Sequence, residues 1–246
     1  MKQIKTVDNL DASVSIPGSK SVTHRYLIMA ALAEGRSWLH NGLWCDDTRY
    51  TAGALERFGA QIRHSPKSIE VIGTGGFLSC PSEPIYLENA GTSMRLLTAV
   101  ACLGRGSSVL VGNERLHKRP MEELLVALES LGGKVESLQE RGYAPVRIQG
   151  SGLRGGSTTV NASRSSQFVS AILLAAPYAA RPVEITVQGL VSKPYVDVTL
   201  NGMSTFGAKA RWLDEKNLRV EAPGRYLAGS YVVEGDCSSA SYFWAA

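Results

Sequence analysis

Apolar and polar positions along the chain recur in one pattern about every 73 residues. Three segments open on Gly or a hydroxyl residue and then turn apolar: SKSVTHRYLIMAALAEG from Ser19, GTSMRLLTAVACLG from Gly91 and SSQFVSAILLAAP from Ser165. A fourth, SSASYFWAA from Ser238, starts at the same pitch and breaks off at Ala246. With Ser21, Thr92, Ser166 and Ser239 as anchors, the steps are 71, 74 and 73 residues. The length and capping residues of these runs predict helices. Two independent anchors at one pitch make a repeat the better reading than a chance likeness among amphipathic helices.

A second helix is predicted inside each unit, ending in an aromatic residue or Leu followed by Gly. The endings ALERFGAQI, ALESLGGKV and GMSTFGAKA place Gly59, Gly132 and Gly207 at spacings of 73 and 75. In the middle copy Pro120 suits the first turn, and Glu122 and Glu123 complement the helix dipole. Met121, Leu124, Leu125, Leu128 and Leu131 keep a 3–4 spacing and predict one buried stripe. Between the helices lie the short β-rich runs SWLHNGL, SIEVIG, PIYLEN, SSVLVGN, VRIQG, STTVNA, VEITVQG, NLRVEA and SYVVEG. Each unit therefore reads as helix, strand, helix and at least two strands, an α+β pattern. Three such units are expected to pack their helices inward around a pseudo-threefold axis, with sheets facing solvent. A chain ending on the apolar YFWAA is expected to be part of a longer protein.

Composition narrows the classes of function. The content of 44% hydrophobic and 20% charged residues belongs to a soluble globular chain with material for a real core. No run approaches the roughly 18 apolar residues of a membrane span. MKQIKTVDNLDASV lacks the apolar stretch of a secretory signal. A net charge of +4 suits small acidic ligands and is too mild to argue for nucleic acid. Cys45, Cys80, Cys102 and Cys237 show no paired spacing, which predicts reduced thiols in a cytoplasmic protein and no zinc site. His24, His40, His64 and His117 show no ligand spacing either, so no metal is expected.

The chemistry is predicted at the helix openings. Each hydroxyl there taken singly reads as a cap. Together, Lys20-Ser21 with Arg25, Thr92-Ser93 with Arg95, and Ser165-Ser166-Gln167 put donors at three helix starts. If the threefold arrangement brings those starts to one face, they form an anion site, each end adding roughly 0.3–1 kcal/mol where exposed. Cations from Lys20, Arg25, Arg95 and Arg119, and hydroxyls from Ser165, Ser166 and Ser192, fit a small ligand bearing phosphate and carboxylate. Gly150-Ser-Gly-Leu-Arg-Gly155 matches a dinucleotide fingerprint, but the strand-like STTVNA follows it where a helix is required.

With those residues quoted, a family resemblance appears. PGSKSVTHR (17–25), LENAGTSMR (87–95), HKRPMEELL (117–125), SSQF (165–168), LVSKPYVDVTL (190–200) and EGDCSSASYF (234–243) resemble, in order, signatures of the 5-enolpyruvylshikimate-3-phosphate synthase family. The resemblance implies an enolpyruvyl transferase-type domain of three βαβαββ units, an α/β prism with helices inside and sheets outside. It implies repeats near 15–88, 89–160 and 161–235. Residues 1–14 would be a strand segment of a second domain, and 236–246 the return crossing into that domain. The implied reaction moves the enolpyruvyl group of phosphoenolpyruvate to the 5-hydroxyl of shikimate 3-phosphate, releasing phosphate, without metal or organic cofactor. Lys20 would act in catalysis and touch both substrates. Ser21, Arg25, Ser165, Ser166, Gln167, Ser192 and Tyr195 would hold shikimate 3-phosphate. Gly91, Arg119 and Gln167 would meet phosphoenolpyruvate, with Asn89, Thr92 and Arg95 in support. A monomeric whole protein is implied, as is inhibition by glyphosate.

Two departures qualify that transfer. The residues that the family contributes from its second domain are not among these 246, so the chain alone is expected to bind shikimate 3-phosphate weakly and not to turn over. Leu96 stands where many members have Pro after the Arg, and altered glyphosate sensitivity is expected from it. The neighbouring family, UDP-N-acetylglucosamine enolpyruvyl transferase, carries Lys-Asn where this chain has Lys20-Ser21. A non-catalytic anion-binding module is the alternative of another class.

Overall fold

The structure, a computed structural model, describes residues 13–245. The first unit contains α1 (Lys20–Leu32), β1 (Glu34–His40), α2 (Asp46–Arg57), β2 (Gln61–His64) and β3 (Ser68–Thr74). The second contains β4 (Ile85–Tyr86), α3 (Gly91–Ala101), β5 (Arg105–Val111), the short α4 (Glu114–His117), α5 (Glu122–Ser130), β6 (Lys134–Ser137) and β7 (Val146–Ser151). The third contains β8 (Gly156–Asn161), α6 (Gln167–Ala175), β9 (Val183–Gln188), α7 (Lys193–Thr205), β10 (Ala210–Trp212) and β11 (Asn217–Val220). β12 (Ser230–Val232) and α8 (Cys237–Trp244) follow.

Three four-stranded sheets share one topology among the described residues: β12-β1-β3-β2, β4-β5-β7-β6 and β8-β9-β11-β10. In each, the first pair is parallel and the other two are antiparallel. Parallel neighbours need a crossover, and α3 and α6 supply it in the second and third units. In the first, the parallel strand β12 comes from the far end of the sequence. Ser19 N donates to Glu234 O at 2.8 Å and Asp236 N to Pro17 O at 2.9 Å, tying the two ends together in front of α1. The opening strands of the second and third sheets thus fall in the limits near 15–88 and 89–160, and that of the first sheet in those near 161–235. β4 precedes 89, β8 starts before 161, and β12 leaves the third repeat for the first sheet.

The inner helices explain the apolar runs. Leu27, Ile28, Met29, Ala30, Ala31 and Leu32 of α1 are buried, as is every residue of α6 from Phe168 to Ala175. Helices apolar on all sides have no solvent face to offer, so α1, α3 and α6 occupy the middle, with α6 packed on both of the others. Each Leu, Ile or Phe taken fully inside contributes about 1.5–3 kcal/mol. α2, α5 and α7 lie outside them and bury one stripe; Met121, Leu124, Leu125, Leu128 and Leu131 are all inside. Gly59, Gly132 and Gly207 end these helices identically, at φ of +106°, +92° and +82°. The following amide returns to the carbonyl five residues back, Ala60 N to Leu55 O, Gly133 N to Leu128 O and Ala208 N to Met203 O.

Three strands were not predicted. β2, β6 and β10 read QIRH, KVES and ARW, polar edges that follow each glycine turn directly, and one paired neighbour sustains each of them. The 150–155 glycine run bridges β7 and β8 without a helix. The strand segment expected over 1–14 lies outside the described residues as far as 12. Among the described residues no helix is long and apolar enough to cross a membrane.

Candidate active site

The starts of α1, α3, α6 and α7 meet around a cleft of about 390 Å³. α1 brings Lys20, Ser21 and Arg25; α3 brings Thr92; the turn into α6 brings Arg164, Ser165, Ser166 and Gln167; and the turn into α7 brings Ser192 and Tyr195. None of the four helix starts carries a side-chain cap, whereas α4 and α8 are capped by Asn113 and Asp236. Gly91 N is bonded to Asn89 O at 2.9 Å and Gln167 N to Ser165 Oγ at 3.2 Å; helix starts gathered around one space are the arrangement that attracts an anion. Two roomier surface hollows, about 550 and 590 Å³, are lined by other residues such as Lys134 and Lys209 and collect no such set of helix starts.

Arg25 is the unusual charge. It is 2% exposed, and every acceptor it reaches among the described residues is neutral. Nε donates to Thr199 Oγ1 at 2.7 Å, Nη1 to Ser21 O at 2.9 Å, and Nη2 to Ser170 Oγ at 3.0 Å and Tyr195 O at 3.2 Å. Burial pulls its pKa down to about 10, which leaves it cationic at neutral pH. A buried guanidinium held by hydroxyls and carbonyls alone keeps an uncompensated positive field directed at the cleft.

Lys20 is placed differently. Its Nζ donates to Asp47 Oδ2 at 2.8 Å, at the start of α2, and this bond, first among the causes, raises its pKa above the usual lysine value. Behind that pair Ser93 Oγ donates to Asp47 O at 3.2 Å and lies 2.8 Å from Thr51 Oγ1, which is 2.7 Å from His24 Nδ1. On the α3 side Gln167 Oε1 accepts from Arg95 Nη1 at 2.8 Å, and Gln167 Nε2 donates to Thr92 Oγ1 at 3.0 Å. Arg95 also reaches Pro120 O at 3.2 Å and stacks 5.3 Å over Phe168. It is thus a strut between α3 and α6 outside the cleft lining.

Ser165 Oγ accepts from Gln167 N at 3.2 Å, Ser166 is buried at the N-cap of α6, and Ser192 is exposed. Ser192 has φ +56° and ψ +49°, a left-handed conformation that costs a non-glycine residue energy, and it lines the cleft. Gly91 begins α3, and a Cβ there would meet Arg119 Nη1 at 2.5 Å, so the missing side chain makes room for that guanidinium. Gly91, Arg119, Asn89 and Arg95 lie beside the cleft rather than on its lining. Asn89 Oδ1 is buried without a partner among the described residues. Sequence reading missed Asp47, Arg164, Ser170 and Thr199. Asp47 resembled an ordinary first-turn acid; Ser170 and Thr199 sit in helix interiors, where only the fold reveals that both face Arg25.

Three repeated units thus bring four helix starts, several hydroxyls and a buried arginine around one cleft. The chain belongs to the EPSP synthase (3-phosphoshikimate 1-carboxyvinyltransferase) family, whose model matches residues 4–246. It is 43% identical to the 3-phosphoshikimate 1-carboxyvinyltransferase of Aliivibrio salmonicida over 99% of this chain and 58% of that protein. For the enzyme of that name from Syntrophobacter fumaroxidans the identity is 44%, over 100% and 58%. The solved EPSP synthase from Acinetobacter baumannii superposes with a TM-score of 0.85 at 30% identity, over 94% of this chain and 52% of that one. The chain therefore spans about 58% of the length of the curated relatives it matches.

Proposed function

We propose that this chain carries the shikimate 3-phosphate half of an enolpyruvyl transferase active site. The observation that carries the reading is the cleft itself, where a buried, counter-charge-free Arg25 lies among the serines of two further helix starts. In this reading Ser165, Ser166 and Ser192 hold the 3-phosphate, Arg25 with Ser21 takes the carboxylate, and Gln167 and Tyr195 flank the ring. Lys20, the Gly91 amide, Gln167 and Arg119 face phosphoenolpyruvate, with Asn89, Thr92 and Arg95 keeping the α3 turn in place.

The proposed reaction adds a proton to the methylene carbon of phosphoenolpyruvate, and the 5-hydroxyl of shikimate 3-phosphate attacks its C2. The tetrahedral adduct then loses phosphate and a methyl proton, restoring the double bond in the product. Two anions that repel one another must be brought into contact, and fixed cations provide that. Lys20, kept protonated by Asp47, is suited to donate to both ligands and to move a proton between them. No cofactor enters this scheme. The whole protein is taken to be cytoplasmic and monomeric.

Calorimetric titration of the 246-residue chain tests the reading, with shikimate and UDP-N-acetylglucosamine as controls. Selective binding of shikimate 3-phosphate that is lost in Ser165→Ala/Ser166→Ala is expected, with no turnover by the chain alone. Preference for the nucleotide sugar, or for none of the three, would replace it with one of the rival readings.

Glyphosate is proposed to occupy the phosphoenolpyruvate side. Leu96 is fully buried in α3, and a proline there would lose the helical bond back toward Thr92. Leu96→Pro, introduced with the rest of the enzyme present, is expected to shift glyphosate inhibition severalfold. Unchanged inhibition would remove Leu96 from the account.

A further inference from the structure

Three cations line the cleft, and they are not equally committed. Lys20 is bonded to Asp47 at 2.8 Å. Arg25 is enclosed by four bonds to neutral acceptors. Arg164 is different: its side chain is 60% exposed, and its nearest acidic contact is Glu123 Oε1, 3.7 Å from Nε. That distance is too long for a hydrogen bond. The partner is under-satisfied as well, since Glu123 Oε2 is buried and has no hydrogen-bond partner among the described residues.

The phosphate pocket of the proposed function has a charge deficit. A phosphomonoester carries about −1.5 to −2 at pH 7. Ser165, Ser166 and Ser192 bring hydroxyls without net charge, and the starts of α6 and α7 bring roughly half a positive charge each. Roughly half to one negative charge is left over. Arg164 directly precedes Ser165 and lines the same cleft. The family resemblance assigns it no role.

Resting on the reading of the cleft as a shikimate 3-phosphate site, we infer that Arg164 is the counter-charge for the ligand's phosphate in this chain, held loosely over Glu123 until the phosphate arrives. A guanidinium fork suits that task because it meets two phosphate oxygens at once. The switch costs little: a 3.7 Å contact with a mostly exposed arginine is weak, whereas a charge-assisted bond to a dianion is strong.

The test compares the full chain with Arg164→Ala and Arg164→Lys, titrating each with shikimate 3-phosphate and with shikimate. Arg164→Ala is expected to weaken shikimate 3-phosphate about tenfold or more and leave shikimate unchanged. Arg164→Lys is expected to recover part of the loss. Raising the salt is expected to weaken the wild type more than the alanine variant. An unchanged urea midpoint checks that the fold is intact, as the exposed position predicts. If Arg164→Ala keeps the wild-type preference for the phosphorylated ligand, or loses both ligands equally, the inference is wrong while the site reading stands. If the wild type itself fails to prefer shikimate 3-phosphate over shikimate, the site reading fails and takes Arg164 with it.

Discussion

Arg25→Met is expected to cut shikimate 3-phosphate affinity by about tenfold to a hundredfold and yet leave the chain as stable as before, or more so. The loss follows from removing a buried cation whose one remaining N–H, on Nη1, is left for a carboxylate, since a charge-assisted bond is worth roughly 1.5–3 kcal/mol. The stability side follows from what surrounds the guanidinium. Its present acceptors, Thr199 Oγ1, Ser170 Oγ and two backbone carbonyls, do not depend on it. Thr199 Oγ1 lies 2.9 Å from Ser170 Oγ and donates to Tyr195 O at 2.8 Å, so the hydroxyls stay satisfied when the arginine goes. Methionine fills much of the volume with an adaptable apolar chain and ends the cost of keeping an unpaired charge inside. Urea unfolding and calorimetry on the same preparation check both halves. A variant that binds normally would remove Arg25 from the site. One that unfolds several kcal/mol earlier would make Arg25 a structural keystone instead of a functional expense.

That contrast also explains what was legible in the sequence. The periodic features carried over to the structure because each has a local cause. Gly59, Gly132 and Gly207 mark helix ends because only glycine takes that φ cheaply, and the apolar runs of α1 and α6 mark helices with no solvent face. Ser21, Ser166 and their neighbours stood out because polar residues opened otherwise apolar helices. The closing of the first sheet by β12 was not legible, since the pairing Trp38↔Ser230 joins residues whose local patterns say nothing about each other. Asp47, Ser170 and Thr199 were hidden for the same reason. Each is ordinary in its own helix and acquires meaning only from a residue on another, Lys20 for the first and Arg25 for the other two.

The buried histidine behind Lys20 gives the second large effect, on stability. The chain of bonds from His24 has a fixed direction. Asp47 O can only accept, so Ser93 donates to it, Thr51 donates to Ser93, and His24 Nδ1–H donates to Thr51. The remaining nitrogen, Nε2, is buried without a partner among the described residues, and a second proton would have to go there. Burial therefore pushes the His24 pKa down to about 3; Arg25 and Lys20 push the same way, and Asp47 opposes them. Unfolded histidine titrates near 6.5. The stabilisation that comes from keeping His24 neutral is fully present above 6.5 and is lost as pH falls from there toward 3. The slope is about 1.4 kcal/mol per pH unit. His24→Gln has no such titration, so the wild type is expected to lose roughly 2 kcal/mol relative to it between pH 7.5 and pH 5. Urea unfolding of both chains at pH 7.5, 6 and 5 measures the difference, and carboxylates shared by the two proteins cancel. Parallel stability curves would mean that the folded chain accepts the proton on Nε2, and that the site behind Lys20 is wetter than its packing implies.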